Sequence, residues 1–258
     1  MTSRWMAETT DNAFLGGRLQ ILQPTQGYRA GVDPVLLAAS VPARAGQSVL
    51  ELGCGGGTGL LCLGARVPGV RLTGVELQPA YAALARENAA RNTQEIEVYE
   101  ADLDDLPQAL RARSFDHVMA NPPFFRRDAS HASADPGRET GRGEALPLAR
   151  WVEVAARRLR PGGHASFIQR AERLPDLMAA CAGRLGSLEL LPLLPRDGRA
   201  ARLVLLRGRK GGGAAFCLHA PLVLHRGASH DTDGDDYTAP VSAVLRNAAA
   251  LPFGMTAK

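Results

Sequence analysis

The chain has 258 residues, of which 45% are apolar and 22% charged, so it can bury one large core. Prolines break its apolar runs well short of the roughly 20 residues of a membrane helix, and the N-terminus lacks a secretory signal pattern, so we predict a cytoplasmic protein. The net charge is +4, and all basic residues except Lys210 and Lys258 are arginines, which is compatible with an RNA partner but equally with a GC-rich genome.

Apolar runs of strand length alternate with amphipathic helical windows. Strands are predicted at residues 49–52, 70–75, 96–99, 115–120, 164–169, 188–194 and 201–206. Helices are predicted at residues 58–66, 79–91, 147–160 and 171–185, and Pro161-Gly162-Gly163 ends the third of them. This alternation indicates a parallel sheet covered by helices on both faces.

A glycine-rich turn follows the first predicted strand, in the sequence VLELGCGGGTG at residues 49–59. Glycines let the backbone approach a ligand closely, although a plain tight turn or a dinucleotide site would use them too. The dinucleotide pattern GxGxxG does not fit, because residue 58 is threonine. Glu51 would repel a phosphate but attract a sulfonium or ammonium group, which favours S-adenosylmethionine. We expect Glu51, Gly53, Gly55 and Gly57 to contact this cofactor.

Two further acidic residues follow the next two strands. Glu76 ends the second strand, where a carboxylate can accept both hydroxyls of a ribose. Asp102 follows the third strand and can accept a hydrogen bond from an adenine amino group. Alternatively, Asp102 caps a helix at residues 103–106.

The fourth strand is followed directly by NPPF at residues 121–124. Together with the motifs at Gly53, Glu76 and Asp102, this sequence resembles the class I S-adenosylmethionine-dependent methyltransferases that modify planar nitrogen. The resemblance covers most of residues 45–207. It implies a Rossmann-like α/β fold with a seven-stranded, mostly parallel sheet, helices on both faces and short terminal extensions.

The NPPF motif suits methyl transfer to an exocyclic amine, whose lone pair is delocalised and therefore weakly nucleophilic. Asn121 Oδ1 and the carbonyl of Pro122 can accept hydrogen bonds from the two amine hydrogens and stabilise the charge that develops on nitrogen. The prolines fix the backbone and contribute no N–H group to compete for that carbonyl. Phe124 would stack on the base, which is worth about 1–3 kcal/mol. The alternative is a proline turn with a core phenylalanine.

The segment before the first strand narrows the resemblance. LQPTQGYRAGVDPVLLAA at residues 22–39 is similar to a segment of the bacterial tRNA(Val) adenine N6-methyltransferases, which act at position 37, and the tail around residues 221–238 is similar to their ending. The likeness implies that residues 1–44 cover the cofactor and substrate site, with Tyr28 and Asp33 as contacts. Asp33 also suits the cap of a helix at residues 34–40. A methyltransferase domain would then span residues 45–258, with an extension from about residue 214.

The polar stretch at residues 126–144 follows the NPPF motif. Its arginines are placed to bind substrate phosphates, or else the stretch is a solvated loop. These residues are Arg126, Arg127, Arg138 and Arg142. We predict no metal site, since Cys54, Cys62, Cys181 and Cys217 form no CxxC pair, and we expect them to be reduced thiols.

The favoured function is therefore methylation of an exocyclic base amine in RNA, with adenine N6 at tRNA position 37 as the preferred target. Because the family more often has tyrosine where this chain has Phe124, and phenylalanine also occurs in ribosomal guanine N2-methyltransferases, the base stays open. A protein glutamine N5-methyltransferase would share the chemistry but usually carries a longer N-terminal domain. A nicotinamide-dependent oxidoreductase is disfavoured by Glu51 and by the glycine spacing.

Overall fold

A computed structural model describes residues 8–123, 125–126, 143–144, 146–227, 236–251 and 253, with only the backbone at 125–126 and 143–144. The strands are β1 (Thr9–Phe14), β2 (Leu19–Pro24), β3 (Ser48–Leu52), β4 (Arg71–Glu76), β5 (Ile96–Glu100), β6 (Phe115–Ala120), β7 (Phe125–Arg126), β8 (Gly143–Glu144), β9 (Leu159–Arg170), β10 (Gly186–Leu194), β11 (Leu203–Arg209), β12 (Cys217–Leu218) and β13 (Leu222–Val223). The α-helices are α1 (Asp33–Ser40), α2 (Thr58–Arg66), α3 (Pro79–Arg91), α4 (Gln108–Arg111), α5 (Leu148–Arg158), α6 (Leu174–Cys181) and α7 (Ala239–Asn247). Short 3-10 helices cover Leu15–Gly17 and Ala171–Arg173.

The main sheet has the strand order β12-β10-β11-β9-β6-β3-β4-β5, with β13 paired to β10. Seven of its strands are those predicted, and the two-residue strands β12 and β13 on the edge strand bring the number to nine, so the predicted count of seven was too low. Only β11 runs antiparallel to its neighbours β9 and β10. The chain passes from β10 to β11 through a short turn, which can join only antiparallel strands.

Side chains of alternate strand residues fill two cores, one on each face of the sheet. Val49, Met119 and Leu205 pack with α1, α2 and α7 on one face. Leu50, Val118 and Leu206 pack with α5 and α6 on the other. The prediction of an α/β architecture with helices on both faces is confirmed.

The Pro161-Gly162-Gly163 sequence lies inside β9 rather than between the helix and the strand, which corrects the predicted boundary. The helix α5 ends at Arg158, and β9 begins at once. The partners of β9 on β6 shift from Phe115 opposite Leu159 to His117 opposite His164, so the sequence forms a bulge in the ladder. Gly162 donates to the Lys210 carbonyl, and the Lys210 N–H donates to the Gly163 carbonyl, which supplies the bulge with partners.

The N-terminal segment forms a hairpin of β1 and β2 that docks on α3. Asn88 and Asn92, four residues apart on one helix face, pair with the backbone of β2 as a neighbouring strand would. The Leu22 N–H donates to Asn88 Oδ1 at 2.8 Å, and Asn88 Nδ2 donates to the Leu22 carbonyl at 3.0 Å. Asn92 makes the same pair of bonds with Gln20. Asn88 Nδ2 also donates to the Gly56 carbonyl, so one buried amide joins the hairpin to the glycine-rich turn.

Candidate active site

A cavity lies at the carboxyl ends of β3, β4, β5 and β6, which meet at one edge of the sheet because these strands are parallel. The predicted site residues that line it are Tyr28, Glu51, Gly53, Gly55, Glu76, Asp102 and Asn121. Within the part of the chain that the structure describes, Asp33, Gly57 and Pro122 are not part of its wall. The side chains of Phe124, Arg126, Arg127, Arg138 and Arg142 lie outside the described residues.

At two positions of the glycine-rich turn the geometry requires glycine. Gly57 precedes the first residue of α2 with φ of +84°, a left-handed conformation that glycine adopts without strain. At Gly59, a β-carbon would lie 2.5 Å from Oε1 of Glu51, so any side chain there would collide with the carboxylate. The glycines therefore make room for an acidic group beside the start of α2.

Glu51 is 3% exposed, and its carboxylate is only partly satisfied by the protein. The Leu60 N–H donates a hydrogen bond to it, whereas Oε2 has no hydrogen-bond partner among the described residues. Burial raises the pKa of Glu51 well above its usual range, against the Leu60 bond, and the charge of Glu76 raises it further. A buried acidic group of this kind is stabilised by a cationic ligand.

Glu76 is held by backbone donors at the end of β4. Gly55 N–H donates to Oε2 and Gln78 N–H to Oε1, both at 2.9 Å. Burial nevertheless raises the pKa of Glu76 above its ordinary value, while the bonds from Gln78, Gly55 and Leu77 lower it. The two bonds fix the orientation of the carboxylate and leave each oxygen capacity to accept another hydrogen bond.

Asp102 is exposed at the cavity rim and accepts a hydrogen bond from the Asp104 N–H at 2.9 Å. The following residues form a turn rather than the helix at 103–106 that would have been capped. Asp33 is itself the first residue of α1, and Val32 occupies the cap position, so the predicted cap of a helix at residues 34–40 is corrected by one residue. Burial raises the pKa of Asp33 above its ordinary value.

Asn121 follows β6 and presents an unsatisfied acceptor in the cavity wall. Its Oδ1 is buried without a hydrogen-bond partner in the residues that the structure describes. The Asn121 side chain also bonds Tyr28 and thereby lowers the pKa of that tyrosine, which burial and the charge of Asp33 raise. A buried amide oxygen left without a donor costs roughly 1–3 kcal/mol, so a ligand N–H at this position would be favourable.

The carbonyl of Pro122 has a partner that the sequence did not indicate. Gln169, fully buried near the end of β9, donates from Nε2 to the Pro122 carbonyl at 3.3 Å. Its Oε1 accepts from the Arg170 N–H at 2.8 Å. The expectation that nothing competes for this carbonyl was wrong, since one of its two lone pairs is used and the group is held in position.

Two aromatic residues of the site were also missed from the sequence. Trp151 on α5 lines the cavity, and a β-carbon at Gly53 would lie 2.8 Å from its ring. Its Nε1 is buried without a hydrogen-bond partner in the described ranges. Tyr81 on α3 accepts from the Tyr28 N–H at 2.7 Å and donates to the Tyr28 carbonyl at 3.0 Å, which fixes Tyr28 near Gly55. Neither aromatic belongs to a local motif that could have identified it.

The charge of the cavity wall is one-sided. Glu51, Glu76, Asp102 and Asp104 line it, while no arginine, lysine or histidine does so among the described residues. A ligand with phosphate groups would meet repulsion here, whereas one with sulfonium and ammonium charges would be attracted. The unsatisfied Glu51 oxygen and the absence of a basic wall residue in this described part fit S-adenosylmethionine.

The described residues show no metal cluster, no disulfide bond and no membrane-spanning helix. No group of three or more histidine, cysteine, aspartate or glutamate side chains that could hold a metal ion is found in the described ranges. All four cysteines are free. None of the described helices combines the length and the apolar character needed to cross a bilayer.

Several known proteins similar to this chain are methyltransferases. A family model described as a methyltransferase domain matches residues 49–134. A tRNA1(Val) (adenine(37)-N6)-methyltransferase of Actinobacillus succinogenes is 31% identical over 76% of this chain and 82% of its own length. Another protein of that name from Porphyromonas gingivalis is 33% identical over 67% of this chain and 71% of its own length.

Solved structures agree at the level of fold. A predicted O-methyltransferase of Agrobacterium tumefaciens superposes with a TM-score of 0.68 at 28% identity, covering 85% of this chain and 98% of that one. A 16S rRNA N2-methyltransferase of T. thermophilus, solved with AdoMet and guanosine, gives a TM-score of 0.53 at 20% identity, covering 79% of this chain and 50% of the other. The second likeness concerns the fold alone.

Proposed function

The chain belongs to the family of tRNA1(Val) (adenine(37)-N6)-methyltransferases, and from this premise we propose that it methylates N6 of adenine 37 in a tRNA. It is an S-adenosylmethionine-dependent methyltransferase. The observation that carries the choice of an amine substrate is the unpartnered Oδ1 of Asn121, in the wall of a cavity lined by carboxylates. Action on a tRNA implies a cytoplasmic location.

We assign the cofactor to the acidic part of the cavity. S-adenosylmethionine supplies an electrophilic methyl group on a positively charged sulfur. Glu51 would compensate positive charge, Glu76 would accept from the ribose hydroxyls, and Asp102 would accept from the adenine amino group. The backbone bonds to Glu76 support its role, because an acceptor fixed before binding loses less entropy when the ligand arrives.

The amine of the target base would be held by two acceptors. Asn121 Oδ1 would accept a hydrogen bond from one amine hydrogen and the Pro122 carbonyl from the other, which would stabilise the positive charge that develops on nitrogen. Gln169 supports this arrangement by holding the Pro122 carbonyl in place. Phe124 as the stacking ring, and Arg126, Arg127, Arg138 and Arg142 as phosphate ligands, remain predictions.

The N-terminal segment would cover the cofactor. Leu22, Gln23 and Pro24 at the end of β2 line the cavity together with Tyr28. The bonds of Asn88 to Leu22 and of Tyr81 to Tyr28 fix this part of the segment over the glycine-rich turn. We therefore retain residues 1–44 as a cover of the site and Tyr28 as a cofactor contact, and Asp33 and Gly57 remain predicted contacts.

The test is transfer of labelled methyl from S-adenosylmethionine to separated tRNA, ribosomal RNA and protein fractions, followed by mass analysis of nucleosides and amino acids. We expect N6-methyladenosine in tRNA at position 37, and label incorporated at least about 100-fold more slowly by the Asn121→Ala enzyme. N2-methylguanosine in ribosomal RNA, or methylated glutamine in protein, would show that the substrate is not the one proposed. The roles of Asn121 and Pro122 as hydrogen-bond acceptors would still stand. Label on an oxygen atom would reject the role of Asn121.

A further inference from the structure

The edge of the sheet that carries Asn121 continues beyond the cavity across β9, β11 and β10. Because β9 runs parallel to β6 and β11 runs antiparallel to β9, the end of β9 and the start of β11 lie at this same edge. The Ala171 N–H donates to the Arg202 carbonyl at 2.9 Å, which brings the two together. Gln169, adjacent to Arg170, contacts Pro122, so this part of the edge begins at the NPPF motif.

Three exposed arginines occupy this part of the edge, and we call them the arginine row: Arg199, Arg202 and Arg226. Arg199 and Arg202 lie in the turn between β10 and β11, and Arg226 follows the bridge residue His225. Nearby Arg196 forms an ion pair with Asp236, and Arg170 forms one with Glu172 at 3.0 Å. No ion pair to any arginine of the row occurs among the described residues, so three guanidinium groups remain available.

The C-terminal extension holds the arginine row together. The His225 N–H donates to the Pro195 carbonyl at 3.0 Å, and the Arg226 N–H donates to the Asp236 carbonyl at 2.7 Å. The Arg196 side chain also donates to the backbone carbonyls of Arg226 and Gly227. These bonds fix Arg226 beside the turn that carries Arg199, although the two are distant in sequence.

The two parts of this edge have opposite net charge, since the three exposed arginines of the row outnumber Asp197, the exposed carboxylate of the same turn. The cofactor part carries Glu51, Glu76, Asp102 and Asp104 in the cavity wall, which would repel phosphates. The arginine row lies on the other side of Asn121, and guanidinium groups bind phosphates with a paired geometry that lysine lacks. When the target base lies at Asn121, the RNA backbone is therefore expected to run over the arginine row rather than over the acidic cofactor part.

We propose that Arg199, Arg202 and Arg226 bind backbone phosphates of the nucleotides that flank the methylated base. The inference rests on the proposed function, since it requires an RNA substrate. Arg226 would then give the C-terminal extension a role in substrate binding in addition to the packing of α7 in the core. The partner is the phosphodiester backbone, and recognition at these positions does not depend on base sequence.

The experiment compares two triple variants of the full chain that remove the same charge. One is Arg199→Gln, Arg202→Gln, Arg226→Gln, and the control is Arg44→Gln, Arg71→Gln, Arg111→Gln, whose exposed side chains lie at the opposite edge. Affinity for a tRNA(Val) transcript is measured from low to high potassium chloride, together with kcat and KM for the tRNA and the affinity for S-adenosylmethionine.

For the arginine-row variant we expect the slope of log affinity against log salt to become shallower by about 2, since each single-strand phosphate contact contributes about 0.7. The tRNA KM should rise about tenfold or more while kcat and cofactor affinity stay within about twofold, and the control should resemble wild type. An unchanged slope, or an equal change in the control, would reject the arginine row while methylation of tRNA by the wild type still stands. If the wild type methylates no RNA, the proposed function and this inference fail together.

Discussion

Two buried acidic residues at opposite ends of neighbouring strands, Glu51 near the end of β3 and Asp116 near the start of β6, show how the two edges of the sheet differ. Both are almost inaccessible, with exposures of 3% and 6%. Asp116 accepts from the Ser48 N–H and the Ser48 hydroxyl, each at 2.8 Å, and pairs with Arg160 at 2.5 Å. Although burial raises the pKa of Asp116, these partners outweigh it, and the pKa lies below its ordinary value.

The pKa of Glu51 is shifted in the opposite direction because burial is not balanced by a counter-ion. At the amino edge, the ion pair with Arg160 compensates the charge of Asp116, and the group contributes to stability, although Asp116 Oδ1 and His117 Nδ1 form no hydrogen bond among the described residues and do not line the cavity. At the carboxyl edge, buried groups keep unused hydrogen-bonding capacity that a ligand can satisfy. Buried polar groups without partners therefore mark the functional edge when they line a cavity.

The largest expected effect is the loss of activity in Asn121→Ala. Removing one acceptor for the developing charge should lower kcat by about 10²- to 10³-fold, while cofactor affinity changes by no more than a few-fold. The free energy of unfolding should fall by about 1–2 kcal/mol, because the bond of the Asn121 side chain to Tyr28 is lost, although Oδ1 itself has no partner among the described residues. Steady-state kinetics and calorimetry with S-adenosylmethionine test this. A large loss of cofactor affinity would make Asn121 a structural residue.

The matched pair Glu51→Gln and Asp116→Asn tests the comparison directly. Asp116→Asn should lower the free energy of unfolding by about 2 kcal/mol, since charge-assisted bonds from Ser48 are weakened. Glu51→Gln should raise it by about 1 kcal/mol by removing an uncompensated buried charge, and should weaken cofactor binding. Urea denaturation without cofactor measures both. Destabilisation by both changes would contradict the distinction between the two edges.

His117 at the amino edge predicts how stability depends on pH. Burial, and then the charge of stacked His164, lowers the pKa of His117 from 6.5 to about 4. The unfolded chain therefore binds more protons between these values, and this residue's contribution to stability is present above pH 6.5 and lost as the pH falls. Between pH 7.5 and 5 the loss should be about 2 kcal/mol. Denaturation curves at several pH values should show that the free energy of unfolding of His117→Gln falls less between pH 7.5 and 5 than that of the wild type. An equal fall in the two proteins would refute the prediction.

A smaller effect is expected from Gln169→Met, which keeps the side-chain volume but removes the bond to Pro122. We expect kcat at saturating substrates to fall about tenfold, with cofactor affinity and tRNA KM nearly unchanged, because the carbonyl would be less well positioned. Loss of stability without this selective fall in kcat would indicate a purely structural role. The control is the neighbouring variant Arg170→Gln. It removes the ion pair with Glu172 but leaves the Gln169 side chain that bonds Pro122 unchanged.

Much of the framework was determined by local sequence. The helices at residues 58–66 and 79–91 and the strand at 115–120 have the predicted bounds, because periodicity, prolines and glycines act over a few residues. Once the strands are parallel, the motifs that follow them must meet at one edge, so the cavity around Glu51, Glu76 and Asn121 could be anticipated.

The tertiary structure alone decided which distant groups complete that edge. Gln169 meets Pro122, Asn88 meets Leu22, and Arg226 meets the turn before β11, yet none of these pairs has a short-range signature. The bulge at Pro161-Gly162-Gly163 likewise depends on Lys210, which directly follows β11. Hydrogen bonds and ion pairs join residues that are close in space but far apart in sequence. Which residues meet depends on how the strands and helices pack, so local sequence patterns could not predict these pairs.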